Sequence, residues 1–255
     1  MTVTDLHYES AGQGSAVVLL HSGVTDLRQW DPQWADLAGR YRVVRCDRRG
    51  WGRSSLPDAA VSAPYSDAAD VVGLLDDLGI EQAALIGSSA GGLIAQQIAS
   101  AWPDRVSRLV LLCADADDVE PTASIRSFAE REDKYLEEGA VDDAVELNVQ
   151  TFLGPAASAQ TRDLVRAMQR NAFEVQLAAG EHAPREPGPP IDLRRATMLA
   201  YVISGGRDID YFTLAADRLA QRLPNARRVV LPWAGHLPNL ERPNEVTTLL
   251  LTALA

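Results

Sequence analysis

The sequence predicts an α/β protein in which a mostly parallel, doubly wound sheet carries one helical insertion. Short, wholly apolar runs alternate along the chain with segments of helical periodicity. Strands that are apolar on both faces are typical of parallel sheets covered by helices on each side. One long segment between two such runs shows only helical patterns, which indicates a unit inserted between two strands.

Six apolar runs are predicted as strands of this sheet, and they cover residues 15–21, 40–46, 82–86, 106–113, 198–203 and 228–231. Helices are predicted over 66–78, over 211–223 and from 241 to the C-terminus. In the first of these helices Ser66 is a candidate N-cap and Gly79 a stop signal. A further helix is predicted over residues 93–99.

The segment from 115 to 195 lacks a convincing strand and ends in a stretch rich in proline and glycine. We therefore predict a core domain made of residues 1–114 and 196–255, with residues 115–195 inserted as a helical lid. Helices placed over the carboxyl edge of a sheet would enclose a pocket where α/β sheets bind ligands. The helical insertion is predicted to set substrate choice. Its large apolar residues are as consistent with packing the lid as with touching ligand, and are not assigned as binding residues: Phe128, Tyr135, Phe152, Met168 and Phe173.

Composition narrows the range of partners. The chain has 255 residues, 46% of them apolar, and a formal net charge of −11. This charge argues against binding nucleic acid or an anionic membrane surface. We expect a small-molecule partner and leave a homodimer open. No apolar run approaches ~18 residues, and the N-terminus lacks the features of a signal peptide, so a cytoplasmic location is expected. Cys46 and Cys113 each end an apolar run and are predicted to be small core residues rather than a disulfide or metal pair.

The segment 87–92, Gly-Ser-Ser-Ala-Gly-Gly, contains a Gly-x-Ser-x-Gly pattern centred on Ser89. A predicted strand precedes it and a predicted helix follows it, which is the context that makes this pattern a nucleophile elbow. Glycines at 87 and 91 leave room across the tight turn, and the helix N-terminus favours developing negative charge. Ser88 competes as nucleophile, but only Ser89 has glycine two places away on both sides.

A serine hydroxyl needs a base to remove its proton, and the base needs a carboxylate to orient it. Of the four histidines, His236 follows the last predicted strand on a loop that can reach Ser89, whereas His182 lies in the proline-rich end of the insertion. Asp208 follows the preceding strand and gives the chain order Ser, Asp, His. Asp210 and Asp115 remain alternatives for the acid.

These motifs resemble the α/β-hydrolase superfamily over nearly the whole chain. The similarity is greatest to a bacterial, lid-bearing group that includes 3-oxoadipate enol-lactonases, haloperoxidase-like esterases and carbon–carbon-bond hydrolases. Residues 20–26 with 30–33 resemble the oxyanion loop of the family, residues 47–54 its Asp-x-Arg-Gly-x-Gly-x-Ser segment, and residues 235–243 its catalytic-histidine segment. The common His-Gly pair is His21-Ser22 here, with glycine one place later, a departure shared with enol-lactonase-like sequences.

The resemblance implies an acyl-enzyme mechanism without cofactor or metal, with oxyanion donors from the backbone N–H groups of Ala90 and Gly23. It also implies that His21, Asp47 and Arg48 brace loops rather than act in catalysis, while Trp51 is either pocket wall or packing. We therefore expect a serine hydrolase for a carboxylic ester or lactone of a small, largely apolar molecule. Carbon–carbon-bond hydrolysis by the same three residues is an alternative, as is a non-hydrolytic receptor or cyclase on the same fold.

Overall fold

A seven-stranded sheet organises the computed structural model, which describes residues 6–60 and 62–255. The strands are β1 (Tyr8–Ala11), β2 (Ala16–Leu20), β3 (Arg42–Cys46), β4 (Ala83–Ser88), β5 (Val106–Leu112), β6 (Ala200–Gly205) and β7 (Ala226–Leu231). Their order is β1-β3-β2-β4-β5-β6-β7, and every neighbouring pair is parallel except β1 with β3. The predicted fold class is thereby confirmed.

Strand β1 was not predicted, and its sequence explains why. Its four residues, Tyr-Glu-Ser-Ala, are half-buried or exposed and contain no apolar run. The strand lies at an edge and pairs antiparallel with β3, placing Tyr8 opposite Cys46. Edge strands with a solvated face lack the continuous apolar signal that identified the buried strands.

Nine α-helices accompany the sheet within the described residues: α1 (Asp31–Ala38), α2 (Asp67–Asp77), α3 (Ala90–Ala101), α4 (Ala123–Glu137), α5 (Val141–Phe152), α6 (Ala159–Ala178), α7 (Asp210–Arg222), α8 (Pro238–Glu241) and α9 (Pro243–Leu254). Alternate strand residues face two cores. Val18 and Leu20 pack in the core that contains α2, α3 and α7, whereas Val17 and Leu19 pack with α1 and α9. Helices therefore cover both faces, as the apolar strands predicted.

The order of the strands places a crevice above β2 and β4. From β2 the chain goes first to β3 on one side and then, through α2, to β4 on the other side. Such a reversal separates the connections that leave the two strands, and ligands of α/β sheets bind in the crevice at that point. The residues after β2 and β4 are those predicted as oxyanion donor and nucleophile.

Helices α4, α5 and α6 lie in the segment predicted as an insertion, residues 115–195, which we call the helical insertion. Their apolar faces belong to two clusters. One joins Phe152 and Val165 to residues outside the insertion such as Phe212, and the other contains Ala144, Val145 and Phe173 of the insertion. Within the described residues, 115–195 forms no strand of the sheet, although His182 and Arg185 make single bridges to Asp58 and Tyr65. The domain boundaries at 115 and 195 stay a prediction.

The predicted caps and cysteines agree with the structure. Ser66 caps α2 by accepting a hydrogen bond from the Ala69 N–H, and Gly79 follows with a φ of 62°. Cys46 and Cys113 are both buried and free. None of the helices in the described ranges has the length and apolar character that crossing a bilayer requires.

Candidate active site

Ser89 lies on a strained turn between β4 and α3. Its backbone has φ 52° and ψ −120°, a left-handed conformation that is costly for a residue with a side chain. Its N–H donates to the Leu112 carbonyl at 3.0 Å, which ties the turn to β5. A Cβ at Gly87 would lie 2.3 Å from the Gly91 carbonyl oxygen, and one at Gly91 would lie 2.4 Å from the Leu20 carbonyl oxygen. The two glycines therefore make this close turn sterically accessible.

The side chain of Ser89 lines a cavity, whereas the rival Ser88 is fully buried within β4 and does not. The cavity has a volume of about 290 Å³ and lies between the carboxyl edge of the sheet and the helical insertion. It is lined by Ser22, Gly23, Val24, Trp51, Ser89, Ala90, Asp115, Phe128, Glu132, Asn148, Phe152, Gln169, Phe173, Gln176, Phe212 and His236. The predicted nucleophile, base and oxyanion donors thus meet at one cavity.

His236 is paired with Asp208. The imidazole Nδ1 lies 2.8 Å from Asp208 Oδ2, and both side chains are shielded from solvent. The other carboxylate oxygen, Oδ1, accepts a hydrogen bond from the Ile209 N–H at 2.8 Å. Because Nδ1 is held by a carboxylate, Nε2 is the ring nitrogen left for the cavity that His236 lines.

The two alternative acids lie elsewhere. Asp210 is exposed at the start of α7, where its carboxylate accepts the Thr122 hydroxyl hydrogen at 2.6 Å. Asp115 lines the cavity on the sheet side, and burial raises the pKa of its carboxyl. Of the three aspartates considered from the sequence, Asp208 is the one in hydrogen-bond contact with His236.

The loop that carries His236 is held by the helical insertion. The His236 N–H donates to the Phe152 carbonyl at 2.8 Å, and the rings of Phe152 and Phe212 lie 4.9 and 4.0 Å from the imidazole centroid. The buried carboxylate of Glu241 accepts the N–H of Gly235 at 3.0 Å and that of Gly154 at 3.2 Å. Sheet edge and insertion therefore share one hydrogen-bonded network around the imidazole.

The backbone N–H of Gly23 has a fixed direction. The Ser22 carbonyl, which belongs to the same peptide group, accepts His21 Nδ1 at 2.7 Å and a more distant Arg48 Nη2 at 3.4 Å. A trans peptide group is planar, so fixing the Ser22 oxygen points the Gly23 N–H the opposite way. Ala90 is the first residue of α3, where N–H groups lack partners within the helix. Both residues line the cavity.

The polar residues that the resemblance assigns to loop bracing have that role in the structure. His21 is buried, its Nε2 accepts the Arg48 N–H at 3.0 Å, and burial lowers its pKa to about 3. Asp47 accepts the N–H groups of Leu27 and Arg53 at 2.8 and 2.9 Å. Trp51 combines the two roles considered for it, since it lines the cavity and donates its indole N–H to the Gly23 carbonyl at 2.7 Å.

A larger cleft of about 440 Å³ is lined by none of Ser89, Asp208 and His236. Its wall is charged, and its ionic groups pair with each other, as in Arg45 with Glu9 and Asp31 and in Arg28 with Asp26. It has no serine, cysteine or lysine on its described wall that could act as a nucleophile. The smaller cavity at Ser89 is therefore the candidate active site.

One group of potential metal ligands occurs at the site. Within the described residues, Cys113, Asp208 and His236 place one ligand atom each within 4.8 Å of one another. Burial, with the charge of Asp208, raises the pKa of the Cys113 thiol well above its usual range, so the sulfur keeps its proton. The Asp208 and His236 atoms already bond to each other. The Cys113 sulfur lies 3.8 Å from the Gly235 carbonyl oxygen, an acceptor that suits a thiol, so the three residues form a hydrogen-bonded pair beside a thiol.

Several lining residues were not identified from the sequence, notably Glu132, Asn148 and Gln169 of the insertion. The sequence does contain a signal for two of them, Asn148 and Gln169. Asn148 belongs to the buried face of α5 with Val145 and Val149, and Gln169 belongs to that of α6 with Val165 and Met168. A polar residue at an apolar position of an amphipathic helix marks either a satisfied core group or a binding wall. Phe128, Phe152 and Phe173 line the cavity, whereas Tyr135 and Met168 do not.

The fold and the site define a class of protein. The model of the alpha/beta hydrolase family matches residues 17–248, and the chain belongs to that family. An inferred carbamate hydrolase, RutD of Caulobacter vibrioides (strain NA1000 / CB15N), is 32% identical over 256 residues, covering 92% of this chain and 90% of that protein.

Two further relatives represent other reactions. The 2-hydroxy-6-oxo-6-phenylhexa-2,4-dienoate hydrolase of Burkholderia cepacia is 27% identical, covering 98% of this chain and 91% of that protein. The crystal structure of the enol-lactonase from Burkholderia xenovorans LB400 is 29% identical with a TM-score of 0.75, covering 98% of this chain and 96% of that one. These three relatives are hydrolases by name and differ in the bond that is cleaved.

Proposed function

We propose that this protein is a serine hydrolase that cleaves a carboxylic ester or lactone of a small, largely apolar molecule through an acyl-enzyme intermediate. The observation that carries the proposal is the 2.8 Å contact of His236 with Asp208 at a cavity that Ser89 also lines. A nucleophile on a strained turn, a base and a carboxylate behind the base are the parts that acyl transfer requires.

In the proposed reaction, His236 removes the hydroxyl proton of Ser89 as the oxygen attacks the substrate carbonyl. Asp208 holds Nδ1 and stabilises the imidazolium that forms. His236 then gives the proton to the departing alcohol oxygen, which leaves Ser89 acylated. Water, deprotonated by the same imidazole, attacks the acyl group and releases the acid and the free serine. With a lactone, both products are ends of one molecule.

The negative oxygen of each tetrahedral intermediate would be stabilised by the N–H groups of Ala90 and Gly23. Donors of this kind contribute roughly 3 kcal/mol each to lowering the barrier. The direction of the Gly23 N–H is set before substrate arrives, because His21 and Arg48 hold the carbonyl oxygen of its peptide group. Such a donor needs no reorganisation during the reaction.

The composition of the cavity wall favours ester or lactone cleavage over carbon–carbon cleavage of a carboxylated substrate. The carbon–carbon alternative is supported by the dienoate hydrolase of Burkholderia cepacia, whose name describes a carboxylated substrate. Among the described residues that line the cavity there is no lysine or arginine to pair with a carboxylate. The structural similarity to the enol-lactonase supports a lactone or ester instead.

A substrate panel with active-site labelling tests the proposal. We expect turnover of short p-nitrophenyl esters or of simple lactones, and labelling by a fluorophosphonate at Ser89, located by mass spectrometry of the digested protein. Ser89→Ala is expected to fold and to lose both turnover and label. Bleaching of a yellow dienone without turnover of any ester or lactone would favour carbon–carbon hydrolysis. A label that persists in Ser89→Ala would disprove the assignment of the nucleophile.

A further inference from the structure

Three polar side chains of the helical insertion form part of the cavity wall opposite the sheet edge. Glu132 comes from α4, Asn148 from α5 and Gln169 from α6, and all three line the cavity. The exposed fractions of Asn148 and Gln169 are only 1% and 4%. Polar groups buried to this extent normally have hydrogen-bond partners.

The orientation of Asn148 follows from its partners. Its Nδ2 donates to the Ala144 carbonyl at 2.9 Å and to the carboxylate of Glu132. Both partners are acceptors, so the nitrogen must lie on that side of the amide and Oδ1 on the other. Over the ranges 6–60 and 62–255, Asn148 Oδ1 has no donor, and neither has Gln169 Oε1. Both oxygens have almost no accessible surface, so the acceptor that lines the cavity is the carboxylate of Glu132, which Asn148 holds.

The charges around the cavity have one sign. Glu132 and Asp115 line it, and no lysine or arginine does so in the described part of the chain. The guanidinium of Arg48 lies over the Trp51 ring, 4.0 Å from its centroid, and faces Asp67 at 3.6 Å. Burial raises the pKa of the carboxyl groups of Glu132 and Asp115, so each would gain from a cation that arrived with a ligand.

The aromatic part of the wall also suits a cation. The rings of Phe128, Phe152, Phe173 and Phe212 line the cavity. The faces of such rings carry partial negative charge and attract ammonium groups. They also provide apolar surface for a short alkyl chain between a charged end and the reacting carbonyl.

We propose that Glu132, whose carboxylate Asn148 holds in place, binds a primary ammonium group of the substrate, so that the preferred esters or lactones carry an amine. An ammonium has three N–H donors and no acceptor, which matches a carboxylate. A substrate carboxylate would meet a like charge at this wall and is disfavoured. The proposal rests on the hydrolase function proposed above and names the substrate class for that site.

Matched esters test the preference. Four p-nitrophenyl esters have acyl chains of equal length: those of 6-aminohexanoic acid, heptanoic acid, adipic acid monoamide and adipic acid. Their chains end in an ammonium, a methyl, an amide and a carboxylate group, respectively. A second pair, 3-aminopropanoyl and butanoyl, samples a shorter chain. Each kcat/KM is divided by the rate of alkaline hydrolysis of the same ester, which removes differences in intrinsic reactivity. We expect one or both amino esters to exceed their alkyl partners by about tenfold, as a charge-assisted hydrogen bond implies.

Two variants of α4 test whether the preference for amino esters depends on Glu132. Glu132→Gln removes the charge that faces the cavity, and Glu130→Gln removes an equal charge from the exposed side of the same helix. The amine preference should fall to less than about threefold in the first variant and persist in the second. An equal preference in both variants, or a preference for the carboxylated or alkyl ester in the wild type, overturns the proposal.

Binding without turnover separates this inference from the hydrolase function. Hexylamine, hexan-1-ol and hexanoate are titrated by calorimetry into Ser89→Ala, and into Ser89→Ala combined with Glu132→Gln. Tighter binding of hexylamine that depends on Glu132 supports the amine site even if no ester is hydrolysed, in which case the proposed reaction alone fails. Ester turnover by the wild type with equal binding of the three probes leaves the reaction intact and overturns the amine site.

Discussion

The sheet edge and the helical insertion both contribute polar groups to the cavity, but they hold them differently. On the sheet side, backbone hydrogen bonds fix the key groups: Ser89 N–H to Leu112, His236 N–H to Phe152, and His21 to the carbonyl of Ser22. On the insertion side, Asn148 and Gln169 present oxygens that no donor satisfies within the described residues.

This difference separates the two tasks that such a site performs. Chemistry at the sheet edge depends on groups held within fractions of an ångström, which backbone constraints provide. Recognition by the insertion depends on side chains that helices present to the cavity, such as Glu132. Substitutions at the sheet edge should therefore change rate by large factors with little effect on substrate preference, and those in the insertion should do the reverse.

The largest effect is expected at His236. His236→Gln removes the base while keeping a polar side chain, and should lower kcat by about 10⁴- to 10⁶-fold. His182→Gln is the matched control, because His182 is exposed and lies outside the cavity. Both are compared with wild type by p-nitrophenyl ester hydrolysis, with circular dichroism to verify folding. Loss of less than tenfold at His236 in a folded protein would mean that another group acts as base.

Asp208→Asn is expected to lower kcat by about 10³- to 10⁴-fold, since an amide cannot stabilise the imidazolium and favours the wrong tautomer. Asp210→Asn makes the same chemical change two residues away, on an exposed side chain that contacts Thr122. That control should retain nearly full kcat. If the two variants showed the reverse order, the pairing of His236 with Asp208 would not be the one used in catalysis.

Much of the sheet edge could be predicted from sequence because its parts have local signatures. Ser89 is surrounded by glycines that a tight turn requires, and Asp208 and His236 each follow an apolar strand. Parallel strands bring their carboxyl ends to one edge, so residues distant in sequence could be expected to converge. The pairing of His236 with Asp208 rather than Asp115 needed coordinates, because both acids follow strands at that edge.

The insertion wall could not be predicted in the same way. Helical periodicity identified α4, α5 and α6 as amphipathic, but it does not tell which buried face meets the sheet and which meets another helix. Phe128 and Tyr135 looked equivalent in sequence, and only Phe128 lines the cavity. Edge strand β1 was missed for another reason, because its half-exposed residues carry no apolar run.

Glu241 links the two regions and should have an intermediate effect. Its carboxylate accepts N–H groups from Gly235, next to His236, and from Gly154 in the insertion. Glu241→Gln keeps the size but places an NH₂ where one acceptor was, so kcat should fall by about 10- to 100-fold while KM changes less. Glu137→Gln, on the exposed face of α4, is the control. Unchanged kcat in Glu241→Gln would show that this brace does not position the imidazole.

The smallest effect is expected at Gln169, where stability rather than rate should respond. The side chain is buried, and its Oε1 has no donor within the described residues. Gln169→Met retains the length while removing the unsatisfied atom, so the free energy of unfolding should rise by about 1 kcal/mol. Hydrolysis of a simple alkyl ester should change by less than about threefold, because Met adds no group to the reacting centre.

Gln160→Met provides the comparison on the same helix, at an exposed position where no buried acceptor is removed. Urea denaturation of both variants measures the difference, and the control should stay within about 0.5 kcal/mol of wild type. A loss of stability at Gln169 would mean that the amide is satisfied in solution. The contrast between the two sides of the cavity would then not hold at this residue. A gain of stability would indicate that the insertion keeps a buried acceptor without a donor at a cost in folding free energy.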